Sequence, residues 1–188
     1  MTDGASSDSV IPSPRGRTTP SPRYAVRPPA VSDAPVLGRI HVQIWREAYA
    51  GLMPERHLAG LDALARGERW RQNLSAPEPA TTTLVGTCDG EPVGFVVVGP
   101  GRDDQRPVET ELRVLNVLAA QHGTGLATQL LTTALGERAA YLWVLAGNAR
   151  AVAFYRKHGF ELDGGTKLHE PTGTTELRMV RQGARQTS

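Results

Sequence analysis

The stretch from Leu112 to Leu135 constrains this chain more than any other. Leu112–Leu118 is an apolar run with β-branched Val114 and Val117, and it reads as a buried strand. The segment Gly125–Leu135 carries apolar residues at helical spacing. Between them lies Gln121-His122-Gly123-Thr124-Gly125. A strand that passes into a helix through glycines belongs to a layered α/β fold. The first turn of a helix has free N–H groups and the positive end of the dipole, and glycines let the main chain come close to an anion. Such a junction is either an ordinary tight turn or a seat for phosphate. A Walker A loop would end in Gly-Lys-Ser/Thr, and no lysine follows here; a dinucleotide fingerprint would need glycine or alanine where Thr128 stands.

The rest of the chain alternates strand and helix patterns. Tyr24–Pro28 reads as a short strand stopped by proline. A helix is expected to start at Ser32 or Asp33 as N-cap, with Pro35 in its first turn, and to carry Val36, Ile40, Val42, Ile44 and Tyr49. Residues 53–74 read as a second helical region, broken near Gly60 or Gly67. Strands over 81–89 and 91–99 flank Asp89-Gly90, a strong signal for a two-residue hairpin, and 109–118 is the third strand of that sheet. After the helix at 125–135 come a strand at 140–146, a helix at 149–158 closed by Gly159, and strands at 159–164 and 174–182. The order is β-α-α-β-β-β-α-β-α-β-β, an α/β sandwich around a mixed sheet.

A length of 188 residues suits one domain with a tail. Residues 1–23 are rich in Ser, Pro, Thr and Arg and offer almost nothing to bury, so they are expected to be a disordered leader to a domain at 24–182; a tail at 183–188 is expected to be disordered as well. A net charge of only +2 gives no indication of a nucleic-acid partner. The longest apolar run, near 93–99, is far too short to cross a bilayer, and residues 1–16 lack the apolar core of a signal peptide. One cysteine, Cys88, cannot form an internal disulfide, and it reads as a small buried hydrophobe. His and Cys show no metal-ligand spacing, so no metal is expected. These features suit a cytoplasmic protein.

A second junction stands at 142–162. Asn148 lies at the start of a helix, and Tyr155, seven residues on, shares its face. By themselves the two residues could cap and pack. Together with the glycine loop they resemble the GNAT superfamily of N-acetyltransferases. That family's loop reads Arg/Gln-x-x-Gly-x-Gly/Ala, and His122-Gly123-Thr124-Gly125-Leu126-Ala127 matches it except at the first position, where His122 stands in place of Arg or Gln, with Gln121 just before it. The later segment follows Asn-x-x-Ala-x-x-Phe-Tyr…Gly-Phe as Asn148, Ala151, Phe154, Tyr155, Gly159 and Phe160. The resemblance covers residues 24–182.

It implies a mostly antiparallel central sheet flanked by helices and splayed at strands 4 and 5. It implies acetyl transfer from acetyl-CoA to a primary amine, small or on a protein, by direct attack in a ternary complex. Leu115, Asn116, Val117 and Leu118 would pair with the pantetheine arm and supply the oxyanion donor. His122 to Thr128 (Gly123, Thr124, Gly125, Leu126 and Ala127 between them) would hold the diphosphate. Asn148 would bind the pantetheine amides, and Tyr155 would touch the coenzyme and protonate the leaving thiolate. Glu111 is the candidate general base, as in members that acetylate lysine. Trp45, Tyr49 and His169 would line the acceptor cleft, His169 from the loop between the last strands. His122 is expected to face solvent, His41 and His158 to pack or cap, and Trp143 to lie in the sheet core. The resemblance implies neither a nucleic-acid nor a membrane partner, and it allows a homodimer. The alternatives are a non-catalytic acyl-CoA-binding regulatory module and a nucleotide-binding fold.

Overall fold

The computed structural model describes residues 21–183. Strand β1 (Tyr24–Arg27) is followed by helices α1 (Ala34–Ala48), α2 (Glu55–Ala59) and α3 (Ala63–Ser75), then by β2 (Thr82–Cys88), β3 (Glu91–Pro100) and β4 (Thr110–Val117). The second half comprises α4 (Leu126–Leu135), β5 (Ala140–Leu145), α5 (Ala149–Lys157), β6 (Glu161–His169) and β7 (Thr174–Arg181). The strands form one sheet in the order β1-β2-β3-β4-β5-β7-β6, parallel only where β4 meets β5. This is the expected mixed, mostly antiparallel α/β architecture. The expected leader, apart from residues 21–23, and the expected tail from residue 184 lie outside the described residues.

Local chemistry explains most boundaries. Asp89 and Gly90 take φ values of +50° and +94° and close the β2–β3 hairpin in two residues. Asp62 caps α3, accepting from the amides of Leu64 (2.8 Å) and Ala65 (3.3 Å). Asp33 stands at the N-cap of α1 but makes no capping bond. Its carboxylate instead takes both guanidinium nitrogens of Arg27, at 2.7 and 2.9 Å, and so ties the helix to β1. The helical region after residue 53 breaks at Gly60, whereas Gly67 lies inside α3. The reason is a helix crossing: a Cβ on Gly38 of α1 would lie 2.5 Å from the Gly67 amide nitrogen and 2.6 Å from the Ala63 carbonyl oxygen.

Each face of the sheet buries its own core. Leu126, Leu130, Leu131 and Leu135 of α4 pack on Val96, Leu112, Leu142, Phe160 and Met179, with Ala151, Val152 and Tyr155 of α5 against them. On the other face, Leu37, Ile40 and Ile44 of α1 and Trp70 of α3 cover Val85 and Phe95. Each large side chain buried this way stabilises the fold by about 1.5–3 kcal/mol. Trp143 departs from its expected place in the core. It is half-buried on the α1 side, its indole Nε1 donates to Asp103 (2.7 Å), and the Lys167 ammonium lies 4.2 Å from its ring centroid.

The sheet parts in the middle. β4 and β5 share a single registered pair, Glu111 with Tyr141. Beyond it β4 pairs only with β3, and Leu142–Leu145 pair only with β7. A bulge bends β4 away at the parting, where register passes from Val98–Leu112 to Val97–Val114 and leaves Arg113 unpaired.

Two predictions follow from this packing. Gly38→Ala adds helix propensity worth about 1 kcal/mol, yet its methyl meets main chain rather than a movable side chain, so a net loss of roughly 1–2 kcal/mol is expected in urea unfolding. His41 is enclosed by Trp45, Trp70 and Phe95, and its Nδ1 has no partner among the described residues. Burial, and then the nearby Arg66 charge, push its imidazole down to about 3. A base held neutral in the folded state binds more protons when unfolded, so stability falls as pH drops through 6.5. Between pH 6.5 and 5 the loss from this residue should be about 1.5 kcal/mol. Urea unfolding at the two pH values should show this slope in the native chain and not in His41→Gln.

Candidate active site

The parting of β4 from β5 leaves backbone groups without strand partners. The Leu118 amide donates to Val93 of β3 at 3.0 Å. Alternation along an extended strand then turns the Leu115 and Val117 amides toward the gap. The Val117 carbonyl lies on that side too, 3.3 Å from His122 Nε2. A strand edge inside a sheet with nothing on it is an invitation for an extended ligand.

The end of β4 leads into the glycine loop through one 3-10 turn, Ala119–Gln121. Gly123 and Gly125 take φ values of +80° and +88°, and Gly125 is the N-cap of α4. A Cβ on either would project into open space, so the backbone angle, not crowding, is what calls for glycine. Thr124 Oγ1 donates to the Gln121 carbonyl at 2.8 Å, and Tyr24 donates to the Gln121 side chain at 2.7 Å, which hold the loop in place. Among the described residues nothing accepts a hydrogen bond from the amides of Gly123, Thr124, Gly125, Ala127 or Thr128. Five donors at the positive end of a ten-residue helix form an anion seat.

The gap and the loop open on one cavity of about 390 Å³, lined among others by Ile44, Leu52, Val117, His122, Asn148 and Arg150. Asn148 is buried, caps α5 by accepting from the Ala151 amide (3.1 Å), and leaves its Nδ2 without a partner among the described residues. Tyr155 follows on the same helix, its ring against Phe154 and Phe160. Burial, followed by the neighbouring Tyr49, raises its hydroxyl well above the usual tyrosine range, so it keeps its proton at neutral pH. His122 faces solvent as expected, and it also stands at the rim of the cavity with the Arg150 guanidinium against its ring.

Glu111 lies elsewhere. It is buried at the closed end of the gap, and Arg102 engages both its oxygens, at 2.6 and 2.9 Å. Tyr141, fully buried beside it, accepts from the amides of Arg102 (3.0 Å) and Asp103 (3.3 Å). The pair pins the β3–β4 loop onto the sheet.

Trp45 and Tyr49 meet edge to face on α1 at 5.3 Å, and they pack with Leu52, Met53, Leu58 and Leu145. His169 ends β6 rather than lying in the loop, and its ring stands 6.4 Å from that of His57. Sequence reasoning did not single out His57, Arg150 or Leu52, and it counted Glu47 only among the charges of the acceptor-facing first helix and its loop. Arg150 had a local signal, its place in the first turn after Asn148. Glu47 had none: it accepts from the Ala119 amide (3.0 Å) across 72 positions of chain. Among the described residues no group of three His, Cys, Asp or Glu is arranged to hold a metal ion, and no helix is long and apolar enough to cross a membrane.

Comparison with known proteins agrees with this geometry. Residues 42–160 match the Acetyltransferase (GNAT) family. The chain is 26% identical to a probable N-acetyltransferase of Mycobacterium tuberculosis over 145 residues, 74% of this chain and 80% of that protein. It is 30% identical to an uncharacterized N-acetyltransferase of the same organism over 141 residues, 71% of this chain and 86% of the other. Among solved structures, the PaiA N-acetyltransferase from Thermoplasma acidophilum, in complex with coenzyme A, superposes with a TM-score of 0.65 at 16% identity, covering 86% of this chain and 99% of its own. With more than half its length inside the family's domain, and with a parted sheet, a glycine loop and a capped α5 built as described, the chain belongs to the GNAT family of N-acetyltransferases.

Proposed function

We propose that this protein is a cytoplasmic enzyme that moves an acetyl group from acetyl-CoA to a primary amine by direct attack in a ternary complex. The observation that carries the reading is the continuity of the unpaired β4 edge with the free amides of the α4 N-terminus. That edge suits an extended amide-bearing arm, and the five amides suit a diphosphate joined to it. A protein of the same fold that binds coenzyme A supports the choice.

In this reading the loop from His122 to Thr128 holds the diphosphate through main-chain donors, so histidine in place of the family's usual residue is tolerated. Leu115–Leu118 and the free Nδ2 of Asn148 hold the pantetheine arm. Bound there, acetyl-CoA would supply an acetyl thioester. The Val117 amide, turned into the gap, serves as donor to a carbonyl oxygen on which charge develops. Tyr155 keeps a proton for the departing sulfur, because its surroundings disfavour the phenolate. Trp45, Tyr49 and His169 face the acceptor. Glu111 has a positioning role: its oxygens serve Arg102, and through Arg102 it fixes the loop at the closed end of the gap.

Isothermal calorimetry of the full chain should show saturable CoA binding, and a chain that is folded yet gives no heat would overturn the reading. Gly125→Ala should weaken CoA about tenfold, because a left-handed backbone costs an alanine roughly 1–2 kcal/mol. Tyr155→Phe should lower kcat by about 10²–10⁴ while CoA affinity stays nearly the same. Unchanged turnover in a thiol-release assay would remove Tyr155 as the acid.

A further inference from the structure

The open end of the sheet carries a carboxylate that the reading above does not use. Glu176 lies on β7 with Leu145 of β5 as its partner on one side and Lys167 of β6 on the other. Paired residues on neighbouring strands project to the same face, with Cβ atoms about 4.5–5.5 Å apart. Leu145 packs with Trp45 and Tyr49, so Glu176 looks toward the same aromatic wall. The link shows in electrostatics as well: Tyr49 is raised above the usual tyrosine range by burial first and then by the Glu176 charge. His169, two residues beyond Lys167 on β6, adds its ring next to His57, which stands in turn beside Trp45. The His57 Nε2 is buried without a hydrogen-bond partner among the described residues.

This face already holds one primary ammonium, that of Lys167. It sits 4.2 Å from the Trp143 centroid, 3.7 Å from Glu176 and 4.0 Å from Asp103. None of these contacts is a close hydrogen bond; the cation is shared between an aromatic face and two carboxylates. Glu176 is also only partly covered, with one-fifth of its side chain exposed. Glu111 is closed off by its bidentate partner, and Glu176 is not.

We propose that Glu176, with Trp45, Tyr49, His57 and His169 around it, is the acceptor subsite and selects a primary ammonium carried on an aromatic or apolar body. The proposal rests on the transferase reading for calling the ligand an acceptor, but the ammonium site itself does not depend on coenzyme binding. The charged and titratable groups around Glu176 are Lys167 and His169 of β6, Arg178 two residues along β7 and over the same Trp143 ring as Lys167, Tyr49 of α1 with Arg150 of α5 acting on it, and Asp103 of the β3–β4 loop, which reaches Glu176 through Lys167. The nearby cations set a limit on affinity, and Lys167 is the direct competitor.

The test uses phenethylammonium as probe and 2-phenylethanol as its uncharged counterpart, titrated into the full chain at neutral pH with tryptophan fluorescence as readout. Phenethylammonium is expected to bind saturably. Glu176→Gln should weaken it at least tenfold and leave 2-phenylethanol unchanged. Lys167→Gln, which removes the competing cation, should tighten phenethylammonium several-fold. A damaged fold moves both variants and both probes the same way, so the opposite signs separate recognition from stability. Absence of saturable phenethylammonium binding, or equal effects of Glu176→Gln on the two probes, overturns the proposal. Calorimetry with CoA on the same preparation keeps the two readings apart. Ammonium binding without CoA binding sinks the transferase reading and leaves this site, whereas CoA binding without ammonium binding does the reverse.

Discussion

The candidate site is built on two strands that separate. β4 and β5 are adjacent in the sheet yet hold each other at one registered pair, Glu111 with Tyr141. Past that pair, main-chain donors stand at a strand edge that the fold leaves open. A buried unpaired amide costs about 1–3 kcal/mol, so such an edge persists only where something else enforces it. Here the bulge at Arg113 turns β4, β7 occupies the other side of β5, and large cores on both faces keep the strands where they are. The cost of the open edge is met by packing elsewhere, and the edge keeps donors able to pair with an extended ligand.

The charges follow the same geometry. At the closed end, Glu111 and Arg102 satisfy each other and fasten the β3–β4 loop, with Tyr141 accepting two of its amides. At the open end, groups are left with capacity: five loop amides, the Asn148 side chain, the proton-bearing Tyr155 and a loosely paired Glu176. A bidentate ion pair is a structural rivet, and a carboxylate 3.7 Å from its nearest ammonium is an available partner. Two glutamates on one face of one sheet thus have different uses, and the difference comes from what surrounds each of them.

Much of the fold was legible in the chain. The Asp89-Gly90 turn, the glycine loop before α4, Asn148 at the start of α5 and Gly159 at its end are all local devices, and each appears where its chemistry requires. The places that escaped sequence reasoning share a cause. Gly67 reads as a helix breaker until α1 crosses it, Asp33 reads as a cap until Arg27 comes within reach, and Trp143 reads as core until Asp103 and Lys167 cover it. In each case a contact between residues distant in sequence, or on separate elements, overrode a local preference.

The sequence by itself determined the order of elements, the turn chemistry and the residues able to bind an anion. Those properties come from backbone angles and periodicities that span a few residues. Tertiary structure alone decided that β4 and β5 part after Glu111, that Arg102 takes that carboxylate, and that Glu176 pairs only loosely with Lys167. Strand pairing and ion pairing join segments that no short-range pattern connects, so their outcome becomes visible only when the sheet is assembled.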